Sequence, residues 1–328
     1  MKLETRNLKL KRYTSDDMPL WDAFIRASRN GTFLFERSYM DYHKDRFADH
    51  SLMYFDRHQH LLAVLPAALI TDDDGTLTLS SHAGLTYGGF VLSAKARARD
   101  VIAMLTETTA YMRQNRIGRL VYKQVPHIYH AIPSEEEEHA LWLAGARLEV
   151  CAISTAIDLR SSRLAPHSPN RPRGERRALR AGYTVTETDR LTELWPIVEH
   201  SLYSKYGLMP VHTQAEISLL RDRFPQHIRV FVASLGGTIH GGIVVYETSM
   251  VAHSQYSHAT AQGKASGVVD LLYQHVIRYY ATQRPDIRYF DFGISNEEQG
   301  HYLNASLISY KEDYGGRGVV YKTWVIEV

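Results

Sequence analysis

The chain has 328 residues, of which 44% are hydrophobic and 23% charged, and a formal net charge of +2. That length buries a large core and points to two domains, while the small net charge excludes wholesale nucleic-acid binding and leaves room only for local contacts; no DNA partner is expected. A single cysteine, Cys151, excludes an internal disulfide framework and fits a reducing compartment. The stretch MKLETRNLKLKRYTSDD has no apolar run of signal-peptide type, and no window approaches about 18 consecutive apolar residues. A cytoplasmic protein without a transmembrane segment is therefore expected.

In chain order, helical stretches are predicted at 15–28 and 35–48. Two apolar strands around a polar turn follow in HSLMYFDRHQHLLAVLPAALI (50–70). Next come the strand LTLSSHAGLTYGGFVL, the helix RDVIAMLTETTAYMRQNRI, the strand RLVYKQV and the helix EEEEHALWLAGARL, which ends at glycine. A second series opens with helices at 190–204 and 213–224, the latter begun by a Thr213-x-x-Glu216 capping box. It continues with the strand pair HIRVFVASLGGTIHGGIVVYET (227–248), the strand MVAHSQYSHAT, the helix SGVVDLLYQHVIRYYATQ, the strand IRYFDFG and the helix GHYLNASLISYKEDYGG. Val268, Leu271, Leu272 and Val276 recur at helical spacing, as do Val101, Met104 and Leu105. The same order of elements occurs twice, which points to a duplicated mixed α/β unit. The Pro-, Ser- and Arg-rich SSRLAPHSPNRPRGERRALRAG joins the halves, so domains are expected at 1–160 and 161–328.

Between the strand and helix of the second half lies a turn of small residues, Gln262-Gly263-Lys264-Ala265-Ser266-Gly267. A helix start exposes unpaired N–H groups and the positive end of the helix dipole, so this turn either cradles a phosphate or is an ordinary cap. The strand before it alternates Val251, His253, Gln255 and Ser257 with Ala252, Ser254, Tyr256 and His258, and neither face is apolar. A covered central strand reads as a nearly continuous hydrophobic run, so this one either lines a wet cleft or lies at a sheet edge. The first-half counterpart is also polar, but no glycine turn follows it; Ser81, His82 and Tyr87 there are candidates for acceptor contacts or packing.

Q-x-x-A-x-G resembles the R/Q-x-x-G-x-G/A loop of the GNAT acyltransferases, with Ala265 in place of the middle glycine. RGERRALRAGYTVTE resembles a basic segment of FemAB/FemX-like proteins, and YFDFGISNEEQGHYLNASLISYKEDYGG resembles their terminus, with Tyr310-Lys311-Glu312-Asp313-Tyr314-Gly315 in place of FKxxFG. The resemblance is to the FemAB-like branch of the GNAT superfamily and spans nearly the whole chain. It implies mostly antiparallel sheets with helices on both faces, in two tandem GNAT-like domains, with the donor site in the second.

The activity it implies is N-acyl transfer, with acyl-CoA as cosubstrate or aminoacyl-tRNA in its place. The acceptor is an amine on a small molecule or on a lipid- or nucleotide-linked envelope or polysaccharide intermediate. Gln262 to Gly267 would hold the donor, and a valine at Gly267 is expected to block donor binding without unfolding the protein. Catalytic candidates are His253 as base, Tyr256, Asp291 between its aromatic neighbours, Lys311 near phosphate or the transition state, and Tyr310 or Tyr302 as acid on one helix. Counted by alternation, His253 and Tyr256 face opposite sides of their strand. Each of these also has a structural reading: packing, a salt bridge at the strand end, or a helix-end lysine. Arg176, Arg177 and Arg180 recur at helical spacing and either dock phosphate or carboxylate or form a solvated face. Tyr87 is the substrate-binding candidate of the first half.

Cys151, in apolar LEVCAIST, reads as a buried inert thiol. His58 and His60 fall in a turn with no second cluster at ligand spacing, so no metal site is expected. Glu135 to Glu138 read as the charged first turn of a helix. A scaffold that kept a duplicated acyltransferase fold is the competing class.

Overall fold

The computed structural model describes residues 8–161 and 168–328; part of the predicted join, 162–167, lies outside the described residues. The first series of elements is β1 (Lys9–Arg12), α1 (Met18–Ala27), α2 (Arg37–Met40), β2 (Ala48–Asp49), β3 (Leu52–Phe55), β4 (Leu61–Leu65), β5 (Ala68–Thr71), β6 (Leu77–Ser81), β7 (Val91–Leu92), α3 (Ala98–Gln114), β8 (Arg119–Lys123), α4 (Glu136–Leu143) and β9 (Arg147–Asp158). The second is α5 (Asn170–Arg180), β10 (Thr184–Glu187), α6 (Leu191–Tyr206), α7 (Gln214–Arg223), β11 (Ile228–Leu235), β12 (Thr238–Glu247), β13 (Val251–Ala259), α8 (Ala261–Ser266), α9 (Val268–Gln283), β14 (Tyr289–Ile294), β15 (Asn296–Glu297), β16 (Tyr302–Leu303), α10 (Ala305–Glu312) and β17 (Arg317–Glu327).

Two compact units result. One takes the described residues through Ala152 together with Glu298–His301 and Val320–Val328; the other takes Ile153–Glu297 and Tyr302–Val319. The division falls inside β9, not at residue 160, and it returns a C-terminal strand to the first unit.

In the first unit, β1, β3, β4 and β7 form one antiparallel sheet, while β17, β8, β6, β5 and β2 form a ladder in which only β6 and β8 run parallel. The predicted strand pair at 50–70 becomes three strands. Pro66 has no N–H to give a ladder, and the chain changes sheet there, from β4 to β5. The predicted helix at 35–48 is cut to α2, flanked by single 3-10 turns.

In the second unit the order is β10, β11, β12, β13, β14, β9, antiparallel except for β13 and β14. Each unit thus contains a strand, a long helix and a parallel return strand, and each has its own core. Leu79, Met104, Leu105 and Leu120 lie in the first; Ile243, Leu272, Val276 and Phe290 lie in the second.

The apolar face of α9 is covered partly by α5, and glycines set how closely the two helices pack. A Cβ on Gly174 would meet the Asp270 carboxylate at 1.8 Å, and one on Gly267, at φ +86°, would meet the Gly174 carbonyl oxygen at 2.3 Å. Backbone contact of that kind leaves nothing free to move aside. The expectation that a valine at Gly267 would spare the fold is therefore corrected. Gly267→Val combines a left-handed backbone with a backbone collision and should cost about 2–5 kcal/mol of stability, read as a lowered thermal midpoint; an unchanged midpoint would contradict this packing.

Candidate functional site

The parallel ladder between β13 and β14 is short. It pairs Val251 with Tyr289, Ala252 with Phe290 and His253 with Asp291, and no further. From Ser254 on, the edge of β13 towards β14 has no strand partner among the described residues. On its other edge, β13 stays paired with β12 as far as Ala259, with an irregularity that leaves Gln255 as an extra residue. Such a bulge shifts the side-chain alternation by one. Ser254 accordingly meets the Tyr273 hydroxyl of α9 at 3.3 Å, while Tyr256, two residues on, packs edge-on against Trp195 of α6. The opposite-face assignment of His253 and Tyr256 is corrected by this: the bulge carries Tyr256 to the side that His253 takes by alternation with Ser254. The Tyr256 hydroxyl is engaged by His212 Nδ1 at 2.7 Å.

At the end of the ladder sits Asp291, fully buried. Its carboxylate accepts the Ser154 hydroxyl from β9, the Gly293 amide at 3.2 Å and His253 Nδ1 at 2.8 Å. Donation from Nδ1 leaves Nε2 as the basic nitrogen of the ring. β14 bulges just past Asp291, where Gly293 takes φ +82°. The exposed carbonyls of Gly293 and Ile294 accept Lys311 Nζ at 2.8 and 2.7 Å. Burial lowers the Lys311 pKa to about 8, opposed by the nearby charge of Asp291. His253, Asp291 and Lys311 are thus brought together, and Ser154 joins them without having been signalled by any motif.

Further along β13 a cavity of about 540 Å³ opens, lined by Arg171, Ser201, Lys205, His258, Lys264 and Tyr310 among others. Three cations face one carboxylate, Asp270. That carboxylate is a hub: it accepts Arg171 at 2.8 Å, Tyr314 at 2.8 Å and Tyr310 at 3.2 Å, and the Arg171 guanidinium lies 4.4 Å over the Tyr310 ring. Burial and the charge of Asp270 raise the Tyr310 pKa, so the phenol keeps its proton. Burial, with Lys264 and Lys205 nearby, lowers His258 to about 4, which leaves it neutral near pH 7. Lys264 Nζ donates to Ser201 at 3.1 Å.

The predicted phosphate turn is helical. Thr260 caps α8 by accepting the Gly263 amide at 3.1 Å, and the Lys264 amide is used within the helix. Of the six residues Gln262, Gly263, Lys264, Ala265, Ser266 and Gly267, only Lys264 and Gly267 line the cavity; Val269 and Asp270 of the first turn of α9 line it as well. First-turn amides have no partner inside their own helix.

Other candidates lie elsewhere. Tyr87 is buried in the first unit, against Tyr129 and Phe35, with its hydroxyl 3.3 Å from Thr32; that corrects its reading as a contact for a dissolved substrate. Ser81 and His82 are buried there too. Arg176, Arg177 and Arg180 are exposed on α5, which buries Gly174 and Ala178 instead. Arg171, from the same helix, is the arginine that lines the cleft. Tyr302 belongs to the β15–β16 hairpin, not to the helix of Tyr310. Cys151 is exposed, because the alternation of β9 turns it outward and Ala152 inward. Glu137, within the predicted charged turn, is fully buried and accepts the Tyr122 hydroxyl at 2.5 Å; burial raises its pKa to about 8. Among the described residues no group of three metal-ligating side chains gathers, and no helix is long and apolar enough to cross a membrane.

Lys311 gives a pH test. Its folded pKa of about 8 lies below the ordinary 10.5, so between those values the unfolded chain binds more protons. Stability should therefore rise with pH across that window, by about 3 kcal/mol in the limit. Denaturant titrations should show the rise in the parent chain and a flatter profile in Lys311→Met; parallel profiles would place the lysine in a solvated setting.

Residues 170–312 match the sequence family described as acetyltransferase (GNAT) domain. No curated protein matches the chain. Among solved structures, FemX superposes with a TM-score of 0.70 at 10% identity, covering 98% of this chain and 97% of its own. L-PGS from Bacillus licheniformis gives 0.61 at 14%, covering 97% and 93%. A tandem GNAT protein from the clavulanic acid biosynthesis pathway gives 0.52 at 14%, covering 98% of both. At such identities the likeness is one of fold. Residues 170–312 thus match a GNAT acetyltransferase domain, within a chain that shares its fold with FemX and with a tandem GNAT protein.

Proposed function

We propose that this chain is an N-acyltransferase that moves an acyl group from an activated, phosphate-bearing donor to an amine on a cell-envelope or polysaccharide intermediate. Acyl-CoA is favoured as donor over aminoacyl-tRNA. One observation carries the reading: the strand edge that opens after His253 leads directly to a cationic cleft lined by Ser257 and His258. At strand rise, four residues span about 13 Å. That length suits an extended arm joining phosphates to a reacting carbonyl.

In this reading the donor phosphates meet Lys205, Lys264 and Arg171 and the first-turn amides of α9, where charge and helix dipole act together. The acyl carbonyl lies along the unpaired edge of β13. His253 Nε2 takes a proton from the acceptor ammonium, and the Asp291 carboxylate holds the ring in the tautomer this needs. The amine nitrogen then bonds to the carbonyl carbon and gives up its second proton to solvent, the bond to the donor sulfur breaks, and the thiolate leaves and takes up a proton. In this reading Tyr310, protonated and at the cleft wall, returns it. Lys311 neutralises part of the Asp291 charge and pins the bulge that parts the strands.

Calorimetric titration with acetyl-CoA tests the donor. Saturable binding is expected, and Lys205→Ala with Lys264→Ala should weaken it about 10- to 100-fold. Absence of binding to the parent chain would remove the acyl-CoA reading. Asp291→Asn should keep donor affinity and lower kcat about 100-fold or more with a competent amine; an unchanged kcat would take the dyad out of the chemistry.

The aminoacyl-tRNA reading has one feature in its favour, the exposed Arg176, Arg177 and Arg180, which have no acidic partner among the described residues. It requires charged-tRNA binding that weakens steeply with salt and is lost on replacing those three arginines.

A further inference from the structure

The end of α6 and the loop beyond it leave an unusual amount of apolar surface uncovered. Tyr203, Tyr206, Leu208, Met209 and Val211 are 65%, 46%, 63%, 61% and 74% exposed. A single exposed leucine needs no explanation; five large apolar side chains within nine residues do. Nor is this loop merely loose chain. Gly207 closes α6 in a left-handed cap, Thr213 caps α7 by accepting the Glu216 amide, and His212 is buried on Tyr256. The outward side chains are held between two fixed points.

Within the segment itself the charge has one sign. From His200 to Ala215 the sequence contains Lys205 and no acidic residue. Lys205 and Tyr206 also line the cleft in which three cations face a single carboxylate. The segment therefore joins adaptable apolar side chains to a basic rim, the combination that favours an anionic lipid–water interface. A stable protein–protein interface takes about 20–30 residues a side, far more than this loop offers.

We propose that residues 203–211 seat this protein peripherally on an anionic membrane surface, with Leu208, Met209 and Val211 entering the headgroup region and the basic rim of the cleft turned towards the lipid. The mouth of the cleft then lies at the lipid surface. The inference does not rest on the acyl-transfer reading, because vesicle binding is measured without donor or acceptor.

The test is co-sedimentation of the full chain with phosphatidylcholine vesicles, with and without about one-third phosphatidylglycerol. Binding should be at least about tenfold tighter to the anionic vesicles. Leu208→Ser, Met209→Ser and Val211→Ser combined should weaken it about tenfold or more with an unchanged thermal midpoint. As a control, Trp142→Ser with Leu143→Ser replaces side chains of the first unit that are 68% and 49% exposed, and should bind as the parent does. No binding by the parent, equal binding by the triple variant, or equal loss in the control would overturn the proposal. So would a parent that is dimeric in sedimentation velocity and a triple variant that is monomeric, which would assign the patch to a second copy of the chain.

Discussion

A carboxylate sealed from water governs the second unit. Ionised Asp291 must be met by donors or neutralised, and breaking a buried arrangement of this kind costs about 3–5 kcal/mol. Its donors arrive from three directions: the hydroxyl of Ser154 on β9, the amide of Gly293 within its own strand, and the ring of His253 on β13. Satisfying it fixes the bulge of β14, the orientation of the imidazole and the point at which the parallel ladder stops. Lys311 closes the arrangement by capping the two carbonyls that the bulge exposes. Position, tautomer and opening thus follow from one electrostatic requirement.

The second determinant is the extra residue in β13. A regular strand would turn Ser254 and Tyr256 to the same side. With Gln255 inserted, Ser254 goes to Tyr273 and Tyr256 goes to Trp195 and His212. Ser254 and Tyr256 thereby find polar partners on opposite faces, which helps a strand with no apolar face persist between helices. The edge left over, between the ladder end and the cleft, is the one stretch of β13 not committed to holding the fold.

Much of the architecture was legible in the sequence because it rests on local pattern. The 3.6-residue recurrence along Val268, Leu271, Leu272 and Val276 matches the buried stripe of α9, and the Thr213–Glu216 box does open α7. The polarity of VAHSQYSH marked β13 as unusual for a covered strand. What the sequence hid were effects of register and long-range contact. Alternation cannot reveal a bulge, so Tyr256 was assigned the wrong side. Burial of Tyr87 depends on which neighbours the fold brings, and exposure of Cys151 on the face that β9 turns outward, not on flanking apolar residues. Asp270, a hub for Arg171, Tyr310 and Tyr314, reads in sequence only as an acid at a helix start. Arg171 lies in the same arginine-rich join as Arg176, Arg177 and Arg180, and nothing local separates it from those three, which face solvent.

The division of the chain inside β9 bears on how the protein is made. The first unit includes Val320–Val328, and residues of β17 pair with β8 while Ile326 enters the core beside Leu79 and Leu120. The first unit synthesised is therefore the last that can be completed, since every residue of the second leaves the ribosome before that strand does. Until then the N-terminal portion must wait with an unpaired edge on β8, a state in which chaperones have something to hold.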